Sequence, residues 1–384
     1  MIDAPYIIVL VALLALTILN AKDRKNVNYF IIASVIAFVF TAFRAPVVGA
    51  DTYNYVRFFT GESLYYTSDN REFEPLFTLY NSVMKVLLFK SGFLYMVMNS
   101  FLSLLPLYIL VKHNAFNKPL AVFFFFLTTC GMMYFVVLRQ ILSMAIMLAG
   151  VIYVQKNRPY KLPVLIAAGV IAYFMHASAI YVLPVYLACY FIPMRKRWVP
   201  LAIIAFSILG GFFFLKLDVG KLLSVFASVS LGLADRLENY FSGMQVDTSG
   251  FSLLGLLRRS MVGLFVFSLM PEEKVNHWFS KIYLVGIVMS NFFSDLYLID
   301  RIILPFEIFS IICVTWAFGP RLHKASPRMK LVSYAATALI GSYLVFGYMR
   351  DMVQSQPTDP MRMHPYYFVF QDYQDHPSII YNFD

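Results

Sequence analysis

The succession of long apolar runs constrains this chain more than any other feature. Segments such as YIIVLVALLALTIL (6–19) and YFIIASVIAFVFTAF (29–43) contain no charged side chain. Transferred into hydrocarbon, each apolar residue of such a run gains a few tenths of a kcal/mol. A porin-type barrel would instead show short segments of alternating polarity, and these are absent. Over all 384 residues 60% are hydrophobic and 14% charged, where a soluble domain is about half apolar. These properties predict an all-α, polytopic integral membrane protein with about 12 transmembrane helices (range 11–14).

The expected spans lie near 5–20, 28–43, 93–112, 119–136, 139–155, 162–175, 177–193, 199–215, 253–270, 281–298, 302–319 and 331–349. They form a single transmembrane domain over residues 1–349, followed by a tail over 350–384. The short connections KDRK (22–25), KHNAFNK (112–118), KNRPYK (156–161), RKR (195–197), PEEKVNHWFSK (271–281) and RLHKASPRMK (321–330) hold more than half of the 31 lysines and arginines. Basic residues packed into alternate short loops place those loops in the cytoplasm and both termini outside. The net charge of +10 therefore sets topology and does not call for nucleic acid. MIDAPY at the start lacks the basic region of a signal peptide, so the first apolar run is kept as a span. Cys130, Cys189 and Cys313 lie inside apolar runs without metal-ligand spacing, as small core residues do.

Three longer segments then fall outside: 44–92, 217–252 and the tail. Within the first, residues 74–91 carry a polar stripe, Glu74, Thr78, Asn81/Ser82 and Lys85, at helical spacing. That pattern predicts an interfacial helix with its apolar face toward the membrane. Residues 219–241 read as a second outer-face helix, a short span being the alternative. One straight helix over 162–193 would be about 48 Å long, too long for a bilayer, so a strong tilt or a turn near His176 is expected. No internal repeat is visible. The tail, with four prolines among Tyr366, Tyr367, Phe368, Phe370 and Tyr373, suits a cap on the outer face or a partner contact.

The chemistry-bearing residues gather on the outer side. The stretch 44–76 concentrates Arg44, Asp51, Arg57, Arg71, Glu72 and Glu74. Arg44, Arg139, Arg236, Arg258, Arg259 and Arg301 sit at or just inside the outer ends of apolar runs. An arginine at the centre of a span costs about 2.5–3.5 kcal/mol on insertion scales. Such residues snorkel to headgroups or face a polar cavity, and six at one face favour the cavity. Arginine suits bidentate recognition of phosphate oxygens, so an anionic ligand such as a lipid-linked diphosphate is the natural occupant. Asp51 is either a carboxylate that acts as a base or orients a hydroxyl, or the N-cap of a helix starting at Thr52. Glu74, before Pro75, is either functional or a helix-start residue. His176, in FMHASAIY, is either a hydrogen-bonded core histidine or, at an outer turn, a general base or a group that positions a hydroxyl. Zinc pairs, CxxC, GxSxG, phosphate-binding glycine loops and Asp-x-Asp pairs are absent, so neither metal nor cofactor is implied.

FRAPVVGADTYNYVRFF (43–59), EPLF (74–77), LRQ (138–140) and MHASA (175–179), with Arg236 and Arg301 later, resemble the EpsG-like branch of Wzy-type polysaccharide polymerases. An acidic residue followed by aromatics and then Glu-Pro-Leu is also similar to the first outer loop of GT-C glycosyltransferases. The resemblance implies a bacterial inner-membrane enzyme of an O-antigen, capsule or exopolysaccharide pathway, with a GT-C-like fold and a periplasmic active site. It would move a growing glycan from undecaprenyl diphosphate to the non-reducing end of another lipid-linked repeat unit. Asp51, His176 and Glu74 become the catalytic candidates. Arg44, Tyr53, Tyr55, Arg139, Gln140, Arg236, Arg258, Arg259 and Arg301 become substrate contacts. The family pattern usually has Thr or a similar residue after the glycine; here it is Ala50, so no role for that side chain carries over. The implied partners are the undecaprenyl-diphosphate-linked oligosaccharide as donor and acceptor, membrane lipids and a chain-length regulator, with no nucleic acid. A lipid-linked oligosaccharide flippase, an O-antigen ligase-like transferase or membrane acyltransferase, and a non-catalytic export scaffold are the alternatives. A flippase would be expected to carry charges deep on both sides.

Overall fold

A computed structural model of the protein describes residues 4–23, 27–49, 51–61, 73–156, 159–214, 253–293, 299–324 and 366–372. Among these, all extended secondary structure is helical. In chain order the helices are α1 (Ala4–Lys22), α2 (Asn28–Ala42), α3 (Thr52–Thr60), α4 (Pro75–Leu87), α5 (Gly92–Asn114), α6 (Lys118–Leu127), α7 (Thr129–Val136), α8 (Leu138–Gln155), α9 (Lys161–Met175), α10 (Ala179–Phe191), α11 (Trp198–Phe214), α12 (Leu253–Leu269), α13 (Glu272–Val275), α14 (Trp278–Phe292), α15 (Ile299–Glu307) and α16 (Ser310–Lys324). Every expected span up to residue 319 has a helix or a broken pair of helices on it. The expected span 331–349, the outer helix 219–241 and most of the tail lie outside the described residues. By length and apolarity α1, α5 and α8 can each cross a membrane, and α15 and α16, bent by 41°, pass the same test only when taken together as one broken span. The other apolar helices are shorter than the ~20 residues a perpendicular crossing needs.

The helices form two compact units, Met1–Tyr190 with Val314–Asp384, and Phe191–Cys313. In the first, α8 is the central helix. It packs on α5 and α9, and 67% of its apolar window is buried against 22% for the peripheral α1. Gly150 lets α9 approach closely, since a Cβ there would lie 2.7 Å from that of Ala168. Small residues of this kind are what tight helix pairs use where lipid supplies no hydrophobic drive. At one end of this unit Asn114 and Gln155 exchange amide hydrogen bonds of 3.1 and 3.0 Å, and Asn20 donates to Asn117 at 3.1 Å. These bonds gather the end of α1, the α5–α6 connection and the end of α8 at one end of the unit. Chain direction then puts residues 43–49, Asp51, Thr52, Glu74, Arg139 and His176 at the opposite end.

In the second unit α11, α12 and α14 pack together around a buried polar knot. The Asn291 amide donates to Ser207 Oγ at 2.9 Å and to Ser260 Oγ at 2.7 Å. At its basic end Lys281 Nζ donates to the Ile192 carbonyl at 2.7 Å and the Met194 N–H to Asn276 at 2.8 Å. His277 caps α14 by accepting from the Phe279 N–H. Cys189 and Cys313 are buried thiols outside any disulfide, in keeping with their expected core role.

Two local expectations are sharpened. The chain does turn at His176, which ends α9 three residues before α10 begins. Helix α4 spans 13 residues, about 20 Å at 1.5 Å per residue and so too short to cross. Its polar stripe is not uniform, however. Thr78 and Ser82 are exposed, while Asn81 is buried and returns its amide to the Phe77 carbonyl. The face carrying Leu79, Val83, Val86 and Leu87 is exposed and apolar, and Phe89, 88% exposed, continues it.

Candidate active site

Two arginines organise the end of the first unit that lies away from the basic loops, and the helix breaks explain both. Helix α7 stops at Val136 and α8 starts at Leu138, so Phe135 is left with a carbonyl that α7 cannot pair. The loop after α2 supplies the missing donors. Arg44 Nη2 and the Thr52 hydroxyl both donate to the Phe135 carbonyl. Arg44 also donates from Nη1 to Thr41 O, at the end of α2, and from Nε to Val48 O. A cation at two helix C-termini complements the dipoles and caps orphan carbonyls. The branched guanidinium does this in several directions at once, as an ammonium could not. Arg44 is 2% exposed. Its backbone pairs with Phe368, and the Tyr366 hydroxyl donates to Phe40 O at 2.6 Å.

Gly49 makes this loop possible. Its φ is +104°, and a Cβ there would lie 2.1 Å from the Phe135 oxygen. No other residue type fits so close a backbone approach.

The second arginine lies four residues beyond Phe135, in the first turn of α8. A positive charge at a helix N-terminus is unfavourable, and the surroundings offset it. Arg139 Nη1 contacts Glu74 Oε2 at 2.7 Å, and Nε donates to the Tyr55 hydroxyl at 2.8 Å. Its guanidinium carbon lies 4.8 Å from the Phe73 ring centre, with Tyr55 at 5.5 Å and Phe77 at 5.8 Å. Rings at these distances attract the cation and hold its plane. Glu74 heads α4, with Pro75 at the first helical position as expected, so its carboxylate also faces a favourable helix end.

Its other oxygen, Oε1, accepts from the Ala177 N–H at 3.3 Å. One carboxylate thereby ties α4, α8 and the α9–α10 turn together and brings His176 within electrostatic reach. Burial pushes the Glu74 carboxyl up. Arg139, then His176, then backbone N–H donors outweigh burial and hold it below the usual carboxylate value. The aromatic floor of the cluster is Tyr55, Phe59, Phe77 and Tyr95, packed with Leu138 and Met175.

Of the sequence-derived residues, Glu74, Tyr55, Arg139 and the His176 turn come together. Asp51 occupies the N-cap position of α3, as the alternative to a chemical role required, yet its side chain makes no capping hydrogen bond. It lies one helical turn from Tyr55, the spacing at which side chains are neighbours. Tyr53 lies under the Arg57 guanidinium at 5.6 Å. Gln140 is buried beside Arg139. Arg44 sits in its own carbonyl cradle, joined to the cluster through α3, which bears both Thr52 and Tyr55. Arg258 and Arg259 on α12 and Arg301 on α15 belong to the second unit. Arg236 lies outside the described residues. Sequence reasoning passed over Phe73, Thr52 and Ser178; aromatic residues flanking Glu74-Pro75 were the available signal for the first.

The helices and this ion-paired cluster define a membrane-embedded helical protein with a charged site at the end away from its basic loops. The model of the EpsG family matches residues 27–366, and the chain belongs to that family. Membership suggests a polysaccharide polymerase or other glycosyltransferase-type activity. Comparison with curated proteins and with solved structures gives no match.

Proposed function

We propose that the protein is a polysaccharide polymerase that transfers a growing glycan from undecaprenyl diphosphate to the non-reducing end of a lipid-linked repeat unit at the periplasmic face of the bacterial inner membrane. The observation that carries this reading is the Arg139–Glu74–Tyr55 cluster beside the His176 turn, in a member of the EpsG family. Arg139 is held in one plane and stays 24% exposed. A fixed guanidinium of this kind stabilises charge that develops on a departing diphosphate without reorganising.

In the reaction an acceptor hydroxyl oxygen attacks the anomeric carbon of the donor. The bond from that carbon to the diphosphate oxygen breaks, and the diphosphate leaves with the electron pair. The acceptor proton passes to a carboxylate, for which Asp51 is the candidate. Arg44 positions the loop that bears Asp51. The apolar outer face of α4 lies against lipid, near where a polyprenyl carrier would enter.

Purified protein incubated with lipid-linked repeat units alone should give a ladder of lengthening glycans. Movement of the lipid-linked units across the bilayer with no new linkages would replace this reading with a flippase.

A further inference from the structure

The α9–α10 turn separates two roles open to His176. The Ser178 backbone N–H donates to His176 Nδ1 at 3.2 Å, and the Ser178 hydroxyl lies 2.8 Å from the same nitrogen. A backbone N–H can only donate, so Nδ1 must present its lone pair. A neutral imidazole then carries its one proton on Nε2. Facing an unprotonated nitrogen, the Ser178 hydroxyl donates as well. The protonated edge of the ring suits an anionic oxygen and cannot take up a proton there.

We propose that Ser178 is a positioning residue that fixes His176 as the Nε2–H tautomer, so that His176 donates a hydrogen bond to anionic oxygens of the carrier diphosphate and Asp51 takes the acceptor proton. This deepens the polymerase reading and rests on it. The neighbouring Glu74 carboxylate, tied to the same turn through the Ala177 N–H, favours a donor edge over an acceptor edge here.

The test uses the full chain in lipid nanodiscs with ring-¹⁵N histidine, the six histidines being distinguished by loss of signal in His176→Gln. Long-range proton–nitrogen correlations should show an unprotonated Nδ1 and a protonated Nε2 for His176. A protonated Nδ1 overturns the assignment. Ser178→Ala should move population toward the other tautomer and lower kcat for chain growth severalfold with little change in KM, and Ser178→Thr should restore both. Because Ser178→Ala keeps the backbone N–H to Nδ1, an unchanged tautomer in that variant removes the Ser178 hydroxyl from the role.

Glutamine can donate from the place of Nε2 but cannot act as a base. His176→Gln should therefore retain at least about tenfold more chain growth than His176→Ala, a difference of ~1.4 kcal/mol in barrier. Equal inactivity of the two overturns the donor role. The expected tautomer in a wild-type chain that elongates no glycan would count against the polymerase reading and leave the ring assignment standing.

Discussion

At the scale of the residue, two arginines that look alike in the sequence do different work. Each stands near the end of an apolar run, and that position alone marked both. What separates them is a carbonyl 91 residues away for Arg44 and the rings of Phe73 and Phe77 for Arg139. Neither neighbour can be deduced from local spacing. Glu74→Gln keeps an acceptor for the Ala177 N–H but removes the charge opposite Arg139. It should cost about 1–3 kcal/mol, less than a fully buried pair would, because both groups keep some exposure. Unfolding of the detergent-solubilised protein measures this. Asp51→Asn preserves shape and capping ability, so it should shift the unfolding midpoint less than Glu74→Gln while reducing chain growth by at least about a hundredfold, about 2.7 kcal/mol. Normal elongation by that variant would take Asp51 out of the mechanism. Gly49→Ala places a methyl against the Phe135 oxygen at a positive φ and should cost about 2–4 kcal/mol, read as lost folded yield.

At the scale of the element, length arithmetic found the turn at His176, and Pro75 announced the start of α4. The break between α6 and α7 at Thr128 was not legible. Neither proline nor any run of polar residues marks it, and 119–136 reads as one continuous span. The buried side of α4 was equally hidden, because Asn81 faces the protein through tertiary packing that overrides its polarity.

The cap of α14 yields a pH prediction. Burial first, then Lys274 and Lys281, push the His277 imidazole down from its usual 6.5 to about 4. The folded state therefore binds fewer protons than the unfolded state between those values. Its contribution is complete above pH 6.5 and is lost as pH falls toward 4, by at most about 3 kcal/mol. Glu74 works in a lower window, contributing fully above its usual 4.5 and losing that contribution below it. Stability measured from pH 7 to 4.5 should thus decline in the wild type and stay nearly flat in His277→Asn, which caps without titrating. Parallel curves would show that His277 does not set the slope.

At the scale of the whole molecule, the alternation of basic loops was the most legible property, since charge bias acts over entire segments and needs no knowledge of packing. Amide pairs join the end of α1, the α5–α6 connection and the end of α8 at one end of the first unit. Orientation is open to direct test: Lys90→Cys should react with a membrane-impermeant thiol reagent added outside, and His113→Cys only after the cytoplasmic side is opened. The reverse pattern would turn the proposed site toward the cytoplasm.

The stitch between Tyr366 and Phe40 bridges 326 positions of the chain, and its neighbour Phe368 completes the backbone pairing of Arg44. Early spans are made and inserted long before those residues leave the ribosome. The seat of Arg44 is consequently among the last parts of the protein to be finished, and a nascent chain cut short anywhere before Tyr366 is left with an incomplete Arg44 loop however well its membrane helices have been inserted.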